Sequence, residues 1–109
     1  MIKHYVLTLN GSAQQLNTAL DSGYQGPGSA QDQLVASIII QPDGANTGII
    51  YVGDSDVSSS DYGFRLEIPV STVPPAPFIF ELAGKFIRPS HIWVLGTSTD
   101  KLHMTLVGF

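Results

Sequence analysis

The chain has 109 residues, enough for one ordinary domain and too few for two independent cores. Charged residues make up 13% of it, about half the usual share, while 43% are apolar, a combination that excludes a disordered tail. Nine acidic against five basic residues leave a net charge of −4 with no basic run, which argues against nucleic acid as a partner, and the absence of cysteine removes disulfide frameworks, thiolate metal sites and thiol nucleophiles.

From Lys3 to Leu9, Tyr5, Leu7 and Leu9 share one face and His4, Val6 and Thr8 the other, the period-two pattern of a strand. That apolar stretch is broken at Thr8 and stops at Asn10-Gly11, too short for a signal-peptide core. No other stretch reaches the roughly 18 apolar residues of a membrane span, so the chain reads as soluble and unexported. Ser12 with Gln15 three residues on makes a capping box, and Ala13, Leu16, Ala19 and Leu20 follow a helical period up to Gly23, predicting one short helix. Residues Gly23 to Gln33, rich in Gly and Gln, read as a surface loop.

Leu34, Ala36, Ile38 and Ile40 repeat the strand pattern up to the turn Pro42-Asp43-Gly44, and Thr47 to Val52 reads as a strand covered on both faces. A polar loop, Gly53 to Asp61, leads to two alternating strands, Phe64, Leu66, Ile68 and then Phe78, Phe80, Leu82. Between them the four prolines of Pro69 to Pro77 rule out a central strand and leave an extended connection or an edge. Ile92 to Leu95 and Leu102 to Val107, separated by Gly96-Thr97-Ser98-Thr99-Asp100, read as a terminal hairpin. This spacing gives an all-β fold, a β-sandwich of about seven or eight strands over residues 1–109 as a single domain. Strand parity places Phe64, Leu66, Phe80, Leu82, Ile92, Val94, Leu102, Met104 and Leu106 in the shared core.

Sites of chemistry find little support. Asp54, Asp56, Ser58 and Asp61 imitate the start of a calcium loop, but Ser59 stands where glycine is needed and Arg65 where a bidentate glutamate is needed. His4, His91 and His103 fall on three separate strands with no spacing that joins them into a metal site. Ser90-His91 are sequence neighbours that a strand would point to opposite faces, and no G-x-S-x-G elbow is present. Glu67 and Glu81 are most simply the solvent sides of their strands, and Gly23, Gly26 and Gly28 lack the order and the lysine of a phosphate loop. The sequence therefore predicts a non-enzymatic protein with no catalytic residues, no metal and no cofactor. Its charge-poor surface points instead to assembly.

Asn46-Thr47-Gly48-Ile49-Ile50-Tyr51-Val52-Gly53, followed by Ser58-Ser59-Ser60 and Gly63-Phe64-Arg65-Leu66, resembles small virion proteins of tailed bacteriophages. Ile92-Trp93-Val94-Leu95-Gly96 and Lys101-Leu102-His103 are similar to the closing strands of that group, so the likeness runs from about Ile38 to Phe109; the proline-rich Pro69 to Pro77 departs from it. The resemblance implies a jelly-roll-like sandwich in the virion, assembled in the host cytoplasm. It further implies a capsid decoration (cement) protein, trimeric, clamping neighbouring subunits of the major capsid protein without touching DNA or membrane. A tail, baseplate or fibre protein is the nearest alternative, and a carbohydrate-binding sandwich using Tyr24, Tyr62 or Trp93 is the alternative of another class. Tyr62, Arg65 and the segment Val73, Pro74, Pro75 to Phe78 are the candidate interface, because a rigid proline-rich strip loses little entropy on docking.

Overall fold

The computed structural model describes residues 2–20, 34–70 and 75–108. Their strands are β1 (Ile2–Thr8), β2 (Gln14–Gln15), β3 (Ser37–Pro42), β4 (Ile50–Gly53), β5 (Phe64–Leu66), β6 (Phe78–Glu81), β7 (Trp93–Leu95) and β8 (Lys101–Val107). They form two four-stranded antiparallel sheets, ordered β1-β8-β3-β6 and β2-β7-β4-β5. The first strand pairs with the last, the second with the seventh, the third with the sixth and the fourth with the fifth. The chain is thus a long two-stranded ribbon doubled back at the β4–β5 loop and rolled up, so that β3 also meets β8 and β4 meets β7. That winding is a jelly roll, and the all-β sandwich expected from strand spacing is the observed fold.

Alternation supplies the core. Leu7 from β1, Ile38 and Ile40 from β3, and Leu102, Met104 and Leu106 from β8 face Ile50 and Val52 of β4, Leu66 of β5 and Val94 of β7, all buried in one cluster. Burial of each such side chain is worth about 1.5–3 kcal/mol, which makes this cluster the main source of stability in a chain without disulfides. Tyr5, Phe64, Phe80 and Ile87 close its margins, half-buried.

Several local expectations are corrected. Ile92 to Leu95 and Leu102 to Val107 are not a hairpin: β7 and β8 lie in opposite sheets, because Val94 and Leu102 must face each other across the core rather than along one sheet. The predicted helix is replaced by β2 and a single 3-10 turn, Leu16–Leu20, anchored by buried Leu16. The capping box does not form, since Gln15 donates from Nε2 to Ser90 O at 3.0 Å while the Ser12 N–H donates to Asn10 Oδ1 at 2.9 Å. Ser90 and His91 belong to a second 3-10 turn, Pro89–His91, rather than to a strand. The strand read from Leu34 starts at Ser37, and its parity shifts at Ala36, whose N–H is shared between Val107 O and Gly108 O. Val35 is therefore buried while Leu34 is 43% exposed. Leu82, assigned to the core, lies beyond the end of β6 and is 55% exposed.

At one end of the sandwich the β3–β4 and β7–β8 connections are joined by two buried polar side chains. Asn46 behaves as a backbone strand segment would, accepting from the Lys101 N–H at 2.8 Å and donating to Lys101 O at 2.7 Å. Asp100 accepts from the N–H groups of Thr47 (3.0 Å) and Gly48 (2.9 Å) and from the Thr47 hydroxyl (3.2 Å). The chain passes close to the Thr97 side chain at Gly48, where a Cβ would displace the Thr97 hydroxyl. Leu9 is tied into the same end, donating its N–H to Asp100 O and accepting from that of Thr99, a non-glycine residue held at φ 75°.

Candidate functional site

β6 forms one edge of the first sheet and β5 the matching edge of the second, so their inward side chains meet at the open side of the sandwich. There Phe64 of β5 stacks on Phe78 of β6 with ring centroids 4.1 Å apart, and Phe80 packs against both, at 5.7 Å from Phe64 and 5.1 Å from Phe78. The three rings close the seam between the sheets. Offset and edge-on aromatic pairs of this kind add about 0.5–1.5 kcal/mol each beyond their burial. Phe78, at the outer end of the stack, stays 39% exposed.

A groove of about 390 Å³ runs beside this stack, lined by Phe64, Arg65, Ile68, Pro75, Pro77 and Phe78 among others. The structure thus brings three of the interface candidates, Arg65, Pro75 and Phe78, to one place. Pro75 is fixed there because its carbonyl accepts from Gln41 Nε2 of β3 at 2.6 Å. Arg65, on the outer face of β5, pairs with Glu67 at 2.7 Å, a solvent-exposed ion pair of little energetic weight that leaves the groove electrically neutral. Tyr62 lies on the outer face of the second sheet, its ring 5.0 Å from that of Tyr51, which is the cross-strand neighbour of Arg65. Val73 and Pro74 lie outside the described residues.

The exposed apolar surface extends beyond what alternation suggested. Ile68 and Val70 follow β5, Ile79 is on the outer face of β6, and Leu82 and Phe86 follow it, with exposures between 47% and 61%. A second groove, lined by Ala36, Glu81, Leu82, Lys85 and Phe86, abuts the far end of β6. Ile79 and Phe86 are invisible to alternation because a lone apolar residue in a turn or on an outer face carries no periodic signal. Leu82 carries the signal, which predicts cover without specifying that the chain's own core provides it.

The polar candidates are placed elsewhere. In the β4–β5 loop, Asp54 Oδ1 accepts from the Asp56 N–H at 2.9 Å and Ser58 Oγ from the Asp61 N–H at 3.0 Å, so these oxygens shape the turn. Among the described residues no group of three or more His, Asp or Glu side chains gathers as metal ligands would. His4 and His103 lie on the outer face of the first sheet, on β1 and β8, while His91 lies in the turn before β7. His103 Nε2 is 2.7 Å from Asp43 Oδ1, and this hydrogen bond, reinforced by the Ala45 N–H, holds the Asp43 carboxyl below the usual carboxylate range. Glu67 and Glu81 sit on different sheets as surface residues, and the glycines at 23, 26 and 28 lie outside the described residues. No helix among the described residues is long and apolar enough to cross a membrane.

Comparison with protein-family models, with curated proteins and with solved structures finds no match to this chain.

Proposed function

We propose that this protein is a non-catalytic structural component of a tailed-bacteriophage virion, a capsid decoration protein that binds across neighbouring subunits of the major capsid protein as a trimer. The observation that carries the reading is the jelly-roll winding combined with a neutral apolar strip at the β5–β6 side of the sandwich. Jelly rolls are a common architecture of viral capsid and lectin domains, and a strip of this kind offers interface rather than an enclosed reaction chamber. The resemblance of Asn46 to Leu66 to virion proteins points in the same direction, as does the net charge of −4, which disfavours contact with packaged DNA.

A clamp stabilises a shell by binding the assembled state in preference to its parts, and a modest affinity per copy accumulates over many copies. Particles assembled without this protein are expected to form normally and to rupture at lower temperature, with purified protein restoring the lost resistance. Particles equally robust without it but defective in host attachment would move the protein to the tail or a fibre. One observation favours a carbohydrate-binding reading: Tyr51, Tyr62 and Trp93 share the outer face of the second sheet. Affinity electrophoresis in polysaccharide gels tests it, with retardation abolished by Trp93→Ala supporting glycan binding and unretarded migration excluding it.

A further inference from the structure

Six large apolar side chains, Ile68, Val70, Phe78, Ile79, Leu82 and Phe86, are each between 39% and 61% exposed, and all fall in the stretch from the end of β5 to the turn after β6. Ile68 and Phe78 line one groove, Leu82 and Phe86 line a second, and Ile79 lies on the outer face of the strand between them. The groove beside Phe64 and Phe78 abuts one end of β6 and the groove lined by Leu82 and Phe86 abuts the other, so the four residues of β6 bridge them. Among the described residues β6 pairs with β3 alone.

We infer that this strip is the surface through which copies of the chain pack against one another around a closed symmetry axis. The inference rests on the structural-protein reading and names the partner that this side of the molecule takes. Two quantities select a second copy as the occupant. The first is area. Side chains of this size present on the order of 200 Å² each when free, so the six exposed fractions amount to roughly 600 Å², about three-quarters of the ~800 Å² that each partner gives to a stable interface. Pro75, Ala76 and Pro77, half-buried or exposed beside the strip, supply much of the remainder.

The second quantity is charge. The chain as a whole carries −4, so two copies repel unless they meet over a neutral surface. The charges bordering the strip are Arg65 and Glu67 on one groove and Glu81 and Lys85 on the other, one cation and one anion at each end. Such a surface carries no net repulsion against itself, and symmetry-related copies offer each Glu81 a neighbouring Lys85. By contrast, the β4–β5 loop, with Asp54, Asp56 and Asp61 and no cation, is the kind of surface that like copies avoid.

The opposite edge of the same sheet shows what a protected edge looks like. β1 has Lys3 on its inward parity, opposite Leu106 of β8, and an inward-pointing charge at a strand edge opposes pairing with another chain. β6 carries Phe78, Ile79 and Phe80 in unbroken succession and has no such charge before Glu81.

Sedimentation equilibrium of the purified chain at micromolar concentration provides the test. The wild type is expected at an integral multiple of its 11.7 kDa, and the triple variant Ile79→Glu, Leu82→Glu, Phe86→Glu at 11.7 kDa with an unchanged circular dichroism spectrum, since all three side chains are exposed in the isolated chain. The variant Ile2→Glu, Val6→Glu on the β1 edge is expected to keep the wild-type mass. A monomeric wild type, or a triple variant that still associates, overturns the inference. These results are separable from the capsid reading: an oligomer that fails to protect particles refutes the decoration role and leaves the self-association surface standing, whereas a monomer that protects them does the reverse.

Discussion

Replacing Asp100 by alanine tests whether the end of the sandwich is held by the buried carboxylate. Asp100 is 5% exposed, and its two oxygens accept the N–H groups of Thr47 and Gly48, both in the connection that carries the chain from the first sheet to the second. The Thr47 hydroxyl can turn to water when the carboxylate is lost, because Thr47 is exposed, but the two backbone donors lose their acceptor in a place already lined by protein. A buried donor left without a partner costs about 1–3 kcal/mol, so the variant is expected to lose about 3 kcal/mol, a large part of the 5–15 kcal/mol that keeps an ordinary domain folded. At roughly 4–8 °C per kcal/mol for a chain of this size, Tm falls by roughly 12–24 °C in scanning calorimetry. Asp100→Asn keeps one acceptor oxygen and sets an amide donor against a backbone donor, so its Tm lies between the two. Asp54→Ala removes an exposed carboxylate with a comparable local hydrogen bond and is expected to change stability by no more than about 0.5 kcal/mol. If Asp100→Ala melts with Asp54→Ala and the wild type, the two connections are held by Asn46 and apolar packing, and the Asp100 carboxylate adds nothing to stability.

Phe80→Ala opens the seam where three rings meet and is expected to cost about 2–4 kcal/mol by urea denaturation, below the cost at a fully buried ring because Phe80 is half-buried, while Leu82→Ala leaves the midpoint of the isolated monomer unchanged. Gly96→Ala places a methyl group against the buried Leu9 side chain and is expected to lower stability by about 1–3 kcal/mol, a loss that Leu9→Val in the same chain partly reverses. The Asp43 carboxyl is held low by His103, so its contribution to stability is present above the ordinary carboxylate value of about 3.9 and disappears as pH falls through the lower folded-state value. Thermal melts between pH 6 and pH of about 2 should therefore show a small acid-dependent loss in the wild type that His103→Leu reduces, the Ala45 N–H still holding the carboxylate; identical profiles would refute the coupling.

Much of the strand content was legible because period two is a property of each strand alone. Tyr5, Leu7 and Leu9, or Leu102, Met104 and Leu106, announce their faces whatever they pair with. Pairing was not legible, because in a rolled ribbon only β4 and β5 are both consecutive and adjacent, and every other partnership joins strands far apart in the chain. A turn-like sequence such as Gly96 to Asp100 is compatible with a hairpin or with a crossing between sheets. What decides is Asp100 reaching Thr47 and Gly48, about fifty residues away, which no local pattern reports. The short helix failed for a similar reason. Leu16 is buried in the common cluster as a helical period would require, but Asn10 and Gln14 close the preceding turn with their side chains and hold Gln15 in a strand.

The exposure of Ile68 and Leu82 follows from the same physics and bears on what the protein does. Alternation marks the side of a strand that avoids water without saying whose surface will cover it. In a central strand such as β8 the cover comes from the opposite sheet, and Leu102, Met104 and Leu106 are buried as expected. At β5 and β6 the described sheets end, and the same alternating pattern continues past the last residues that the described core reaches: Leu66 is covered, Phe64 and Phe80 are half-covered, and Ile68 and Leu82 are exposed. A monomer would gain solubility from a polar residue at either position at no cost to its core. The pattern that reads as an error for the isolated chain is consistent once the missing cover is a neighbouring copy, so the sedimentation behaviour of the triple glutamate variant also tests why the core reading overshot at this edge.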